Sequence, residues 1–142
     1  MPHRKSPARN AKDARIAILK SRAALNATAL AATQGAGQAL SWDALAELEY
    51  RTVGRVVLPS DPHYNDDRQE SNPAFQAYPQ VIVYCACESD VLECLAVARR
   101  YRLWVAVRSG GHSTAGYSVN NGMVIDLSDI SGVALDPLAR RV

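Results

Sequence analysis

The sequence predicts an α+β fold in which a βαβ-containing subdomain carries a glycine-bearing loop. Three observations lead there. Gln80-Val81-Ile82-Val83-Tyr84-Cys85 is a continuous apolar run of strand length, the kind buried on both faces. A helical pattern follows, with Val91, Leu92, Leu95, Val97 and Ala98 at its apolar positions. A second apolar run, Leu103 to Val107, then leads into Arg108-Ser109-Gly110-Gly111-His112-Ser113. Strand, helix and strand together occupy about 28 residues, the size of a parallel βαβ unit.

The flanking elements follow in order. Ser41 is a good N-cap for a short helix through about Tyr50, with Asp43 in its first turn and Leu45 and Leu48 on its apolar side. Thr52-Val53-Gly54 closes that helix, and Arg55 to Leu58 is a short strand ended by Pro59. Ser60 to Asn72 is polar and turn-rich and reads as a long ordered loop, with a helical turn near Asp66–Glu70. Ser89 is the expected N-cap of the central helix, and Arg99, Arg100 and Arg102 suit its C-terminal end. Gly122 to Leu127 is a third strand. Val133 to Pro137 begins an extended segment, and Leu138 to Val142 reads as the start of a further strand that breaks off, which suggests truncation.

Charge separates the chain into two parts. Residues 1–40 hold seven Lys/Arg against the single acid Asp13, whereas the remaining 102 residues hold nine bases and thirteen acids. Residues 1–40 are therefore read as a basic, Ala-rich extension, disordered or helical, with a helix favoured over 11–32. Residues 41–142 are read as the domain. No stretch has the ~18–20 uninterrupted apolar residues of a membrane span. The basic tail lacks interleaved aromatics, which argues against base stacking, and no nucleic-acid partner is expected. A cytoplasmic location is favoured, with a targeting role for residues 1–40 left open. Cys85, Cys87 and Cys94 are too few for a disulfide framework and lack a fourth ligand for a metal, so each reads as a small buried hydrophobe. No metal site is expected. His3 and His63 read as solvated surface residues.

The chemistry concentrates in the loop. Paired glycines let the backbone turn tightly and approach a ligand. Successive backbone N–H groups can form an anion-binding concavity. Arg108 brings a permanent positive charge, Ser109 and Ser113 bring hydroxyls, and His112 brings nucleophilic or acid–base chemistry near neutral pH. The alternative on residue chemistry alone is a plain turn with a surface histidine.

The run from Val105 to Ser128, with R-S-G-G-H-S, then G-Y, then V-I-D-L-S, closely resembles the flavin-binding segment of the FAD-linked oxidases of the vanillyl-alcohol oxidase/p-cresol methylhydroxylase (PCMH) type. It is most similar to their berberine-bridge-enzyme-like branch. Val57 to Tyr64, Asn72-Pro73, and the strand 80–85 with Ser89-Asp90-Val91 extend the resemblance upstream, to cover about residues 41–142.

The resemblance implies a PCMH-type FAD-binding domain, of which this chain is the N-terminal part, and FAD as cofactor. It implies that Ser109, Gly110, Gly111, His112 and Ser113 hold the FAD pyrophosphate through their amides, with Arg108 at the start of the loop. Gly116 and Tyr117 would continue the contact, and His112 would bond covalently to the flavin. Asp126 would be a structural carboxylate at a strand end. A small-molecule substrate is implied for a full-length relative, but no catalytic residue is identifiable here. The expected function is therefore that of a flavoprotein oxidase segment supplying the pyrophosphate loop and the flavin-linking histidine. The competing expectation is a non-catalytic fragment or interaction module.

Overall fold

The computed structural model describes residues 40–142, together with Asp13, Ala14 and Ala17, which are helical and exposed. The remaining expectations for residues 1–40 lie outside the described residues. Four strands form one sheet: β1 (Arg55–Val57), β2 (Val81–Tyr84), β3 (Val105–Arg108) and β4 (Met123–Asp126). Three helices accompany them: α1 (Trp42–Arg51), α2 (Tyr64–Asp67) and α3 (Glu88–Tyr101).

The sheet order is β1-β2-β4-β3, with β1 antiparallel to β2 and the other pairs parallel. The expected direct pairing of the two strands around α3 does not occur, because β4 lies between them. Burial accounts for this. All four residues of β4 are buried, as a strand with neighbours on both sides requires. In β3, Val105 is partly exposed and Val107 is 54% exposed, which suits an edge. Gly122 permits the close approach, since a Cβ there would sit 2.3 Å from the Trp104 carbonyl oxygen.

Ser41 caps α1 as expected, its Oγ accepting from the Ala44 N–H at 3.3 Å. The cap of α3 is not Ser89 but Cys87, whose backbone is extended (φ −156°, ψ 168°). Asp90 makes the difference. It is wholly buried in the first turn and accepts from the amides of Val53, Gly54 and Ala86 at 2.8–2.9 Å, tying α3 to the ends of β1 and β2. Cys85 and Cys94 are buried, but Cys87 is not, and its Sγ lies 3.0 Å from Ser89 Oγ. The expected strand near the C-terminal end is also absent among the described residues. Asp136 and Arg141 form an isolated bridge instead, because Asp136 Oδ1 accepts from the Leu138 and Ala139 amides and turns the chain.

The two faces of the sheet differ. On one, α1 and α3 pack through Leu45, Leu48, Cys94, Val97 and Ala98 onto Val81, Val83, Met123 and Ile125. Full burial of each Leu, Val, Ile or Met among them contributes about 1.5–3 kcal/mol. On the other face, Val57, Ile82, Ala106 and Val124 are covered by Tyr64 and Val119, from loop-rich segments. Tyr64 is fixed by its hydroxyl, which donates to the Pro79 carbonyl at 2.8 Å. This second face positions the candidate site.

Candidate FAD site at the carboxyl ends of the parallel strands

Tyr84, Arg108 and Asp126 end the three parallel strands, and both Tyr84 and Arg108 are in register with Asp126. In-register residues share a face, so three polar side chains form a row at one end of the sheet. Ligands of open α/β sheets bind outside these carboxyl ends.

The row is closed internally. Arg108 Nε donates to Asp126 Oδ2 at 2.6 Å, with both side chains only 4% exposed. Arg108 Nη2 donates to the Asp67 carbonyl at 2.8 Å, and Nη1 lies 3.9 Å from Glu70 Oε1. Glu70 is buried, and its Oε2 accepts from Ser118 Oγ at 2.7 Å. Tyr84 donates its hydroxyl to Asp67 Oδ1 at 2.8 Å, and Arg55 forms two bonds to the same carboxylate at 2.9 and 3.0 Å. The Arg55 hydrogen bond, with that of Tyr84, holds the Asp67 carboxyl below the usual carboxylate range despite its burial. Burial, together with Asp67, pushes the Tyr84 hydroxyl up to about 12, so it remains a protonated donor at neutral pH.

The loop leaves the sheet above this network. Gly110 and Gly111 both have positive φ, 92° and 69°, which side-chain-bearing residues rarely adopt. The chain thereby doubles back, and Gly111 is buried against Glu70 and Arg108 while Ser109, Gly110 and His112 are exposed. Among the described residues, no hydrogen bond runs from the backbone N–H groups of Ser109, Gly110, Gly111, His112 or Ser113 to a protein acceptor. These amides are thus available to an anion. His112 Nδ1 lies 3.0 Å from Ser71 Oγ.

The structure therefore brings Ser109 to Ser113 together on one turn, with Ser109, Gly110 and His112 exposed, whereas the Arg108 guanidinium is buried against Asp126. Gly116 has a positive φ of 71° and packs against Phe75, where a Cβ would be 2.4 Å from the ring. Tyr117 is 83% exposed, and its N–H donates to Ser113 Oγ at 3.1 Å. Asp126 is the buried partner of Arg108. Asp67, Glu70, Ser71, Tyr84 and Ser118 belong to the site's support and were not legible in the sequence. His63 is exposed, beside Asp66. No group of three or more metal-ligating side chains occurs among the described residues. No helix among them is long and apolar enough to cross a membrane.

The glycine loop at the carboxyl ends of the parallel strands, with its exposed histidine, is the candidate cofactor site of this α+β domain. Residues 79–142 match the FAD binding domain family. Among its relatives is an uncharacterized FAD-linked oxidoreductase of Bacillus subtilis (strain 168), YgaK. The two are 38% identical over 87 residues, 61% of this chain and 19% of YgaK. The crystal structure of 6-hydroxy-D-nicotine oxidase from Arthrobacter nicotinovorans matches with a TM-score of 0.58 at 28% identity, over 60% of this chain and 19% of that one. BBE-like 1 of Physcomitrella patens shares the fold, with a TM-score of 0.59 at 21% identity, over 66% of this chain and 21% of its own. The chain thus spans about a fifth of the length of these relatives.

Proposed function

We propose that this chain is the flavin-receiving segment of an FAD-dependent oxidoreductase, with the 109–113 loop holding the FAD pyrophosphate and His112 covalently attached to the flavin. The observation that carries the reading is the loop itself. Two positive-φ glycines turn the backbone, and five successive N–H groups without protein acceptors among the described residues lie beside an exposed imidazole. That arrangement suits a doubly charged pyrophosphate, which amides can bind without a side-chain cation. Arg108 contributes by holding the base of the loop through Asp126, Asp67 and Glu70. Gly116 and Tyr117 continue the contact surface, with the Tyr117 ring available to pack against the cofactor.

When bound, FAD supplies the redox chemistry, accepting a hydride from a small-molecule substrate and passing the electrons onward, to O₂ in an oxidase. The chain's own residues bind and orient it. A neutral imidazole nitrogen is a competent nucleophile; its bond to a flavin carbon would replace a C–H bond, with the two electrons and the proton taken up by the flavin itself and passed to O₂, and the resulting tether would fix the cofactor.

Equilibrium dialysis of the chain against FAD and against riboflavin tests the pyrophosphate assignment. FAD is retained and riboflavin is not. Equal retention of both, or retention of neither, contradicts it.

A further inference from the structure

We propose that Glu70 is a specificity-determining residue of the 109–113 loop: its carboxylate leaves one uncompensated negative charge beneath Gly111, which weakens the hold on a bare anion and favours a ligand that adds contacts of its own. Three observations carry this. The Glu70 side chain is wholly buried, and an added Cβ on Gly111 would lie 3.5 Å from its Oε2. The next residue, Ser71, donates its N–H to the Gly111 carbonyl at 2.9 Å, so the two segments are held together. Glu70 Oε2 accepts from Ser118 Oγ at 2.7 Å, but Oε1 has no hydrogen-bond partner among the described residues and lies 3.9 Å from Arg108 Nη1.

The charges around Glu70 do not balance. Arg55 matches Asp67 through bonds of 2.9 and 3.0 Å. Arg108 is left to face both Asp126, at 2.6 Å, and Glu70, so one cation meets two carboxylates. No lysine occurs in residues 40–142 to make up the difference. The loop amides attract an anion, while the carboxylate beneath them repels it through a sealed region that salt screens poorly. A like charge set against a ligand serves to exclude wrong partners. Inorganic phosphate or pyrophosphate has only the amides to hold it, whereas FAD adds the surface of its flavin and adenine. The inference rests on the proposed FAD site for the ligand that is selected. The repulsion of a bare anion does not depend on flavin.

Isothermal titration of the 142-residue chain with inorganic pyrophosphate, and separately with FAD, tests it. Glu70→Gln keeps the length of the side chain and an oxygen for Ser118, and the unpartnered Oε1 has no hydrogen bond to lose. The variant binds pyrophosphate about three- to thirtyfold more tightly than the parent, the scale of one like charge removed from beside a partly buried site. Loss of a structural contact alone would lower the affinity instead. Glu70→Met, uncharged and of similar length, gives the same gain and decides the question if the glutamine variant fails to fold. Pyrophosphate binding by the folded variants that is equal to the parent's, or weaker, overturns the proposal and leaves the loop as an anion site. Tighter pyrophosphate binding in a chain that takes up no FAD refutes FAD as the ligand and leaves the role of Glu70 standing. Binding of neither ligand, by parent or variants, overturns both.

Discussion

Arg108 and Asp126 meet through a single 2.6 Å bond at the carboxyl ends of two adjacent parallel strands, both almost sealed from solvent. Asp126 Oδ1 also accepts from the Ser128 amide at 2.9 Å. The pair therefore joins the residue that opens the 109–113 loop to the turn that follows β4. Burying two charges is costly in itself, and breaking such a pair leaves one charge uncompensated.

Asp126→Asn is expected to destabilise the chain by about 3–5 kcal/mol, the usual cost of removing one partner of a buried pair. The check is the midpoint of denaturant unfolding. A change within experimental error would show that Glu70 and the Asp67 and Gln69 carbonyls suffice for Arg108.

The two loop glycines are expected to differ in their response to alanine. Gly111 lies at φ 69°, within the left-handed region, and an added Cβ would make only an ordinary 3.5 Å contact with Glu70 Oε2. Gly111→Ala should cost about 1–2 kcal/mol, the conformational penalty alone. Gly110 lies at φ 92°, farther from that well, and its Cβ would sit 3.4 Å from His112 Cδ2. Both contacts are ordinary, so the backbone decides, and Gly110→Ala should distort the loop and weaken FAD retention more than Gly111→Ala does. Dialysis of the two variants side by side gives the order, and the reverse order would contradict the assignment of the loop.

Stability should fall on the acid side through Asp90 and Asp67. Burial raises the Asp90 value, but hydrogen bonds from Val53, Ala86 and Gly54 outweigh it and leave the carboxyl below its ordinary value. The Arg55 hydrogen bond does the same for Asp67. A folded value below the unfolded one means that the unfolded chain takes up protons first. The contribution is thus complete above about pH 5, and is lost as pH falls below the ordinary carboxylate value of about 3.9 toward the folded values. Unfolding midpoints between neutral pH and the acid limb should show this decline. Asp90→Asn should lower stability at neutral pH and flatten the acid limb, and an unaltered acid limb would refute the role.

Arg102 closes α3 in the left-handed conformation at φ 55°, a position that favours glycine. Arg102→Gly should raise stability by about 0.5–1 kcal/mol, since the strain relieved exceeds the entropy added to the unfolded chain. Thermal unfolding checks the sign.

The span from Gln80 to Val107 was legible because strand and helix periods are local properties of the chain. The placement of β4 between β2 and β3 was not, since apolar runs such as Val105-Ala106-Val107 and Val124-Ile125 look alike until neighbours are assigned. The loop was legible through its own residues, Gly110, Gly111 and His112. Its support was not. Asp67, Glu70 and Ser71 lie in a polar stretch without period, and their partners Arg108, Ser118 and His112 are 41 to 48 positions away. Arg108 illustrates the limit: its sequence position marked the loop, but only the fold showed its charge turned inward onto Asp126.

We propose that the 109–113 loop receives FAD, with His112 as the point of attachment. The most direct measurement is the mass of the tryptic peptide that begins at Ser109, taken from protein loaded with FAD and precipitated in acid. The parent chain should give a yellow, fluorescent precipitate whose peptide carries FAD on His112, and His112→Ala a colourless one. An unmodified peptide from the parent chain, or flavin bound equally firmly to His112→Ala, would contradict it.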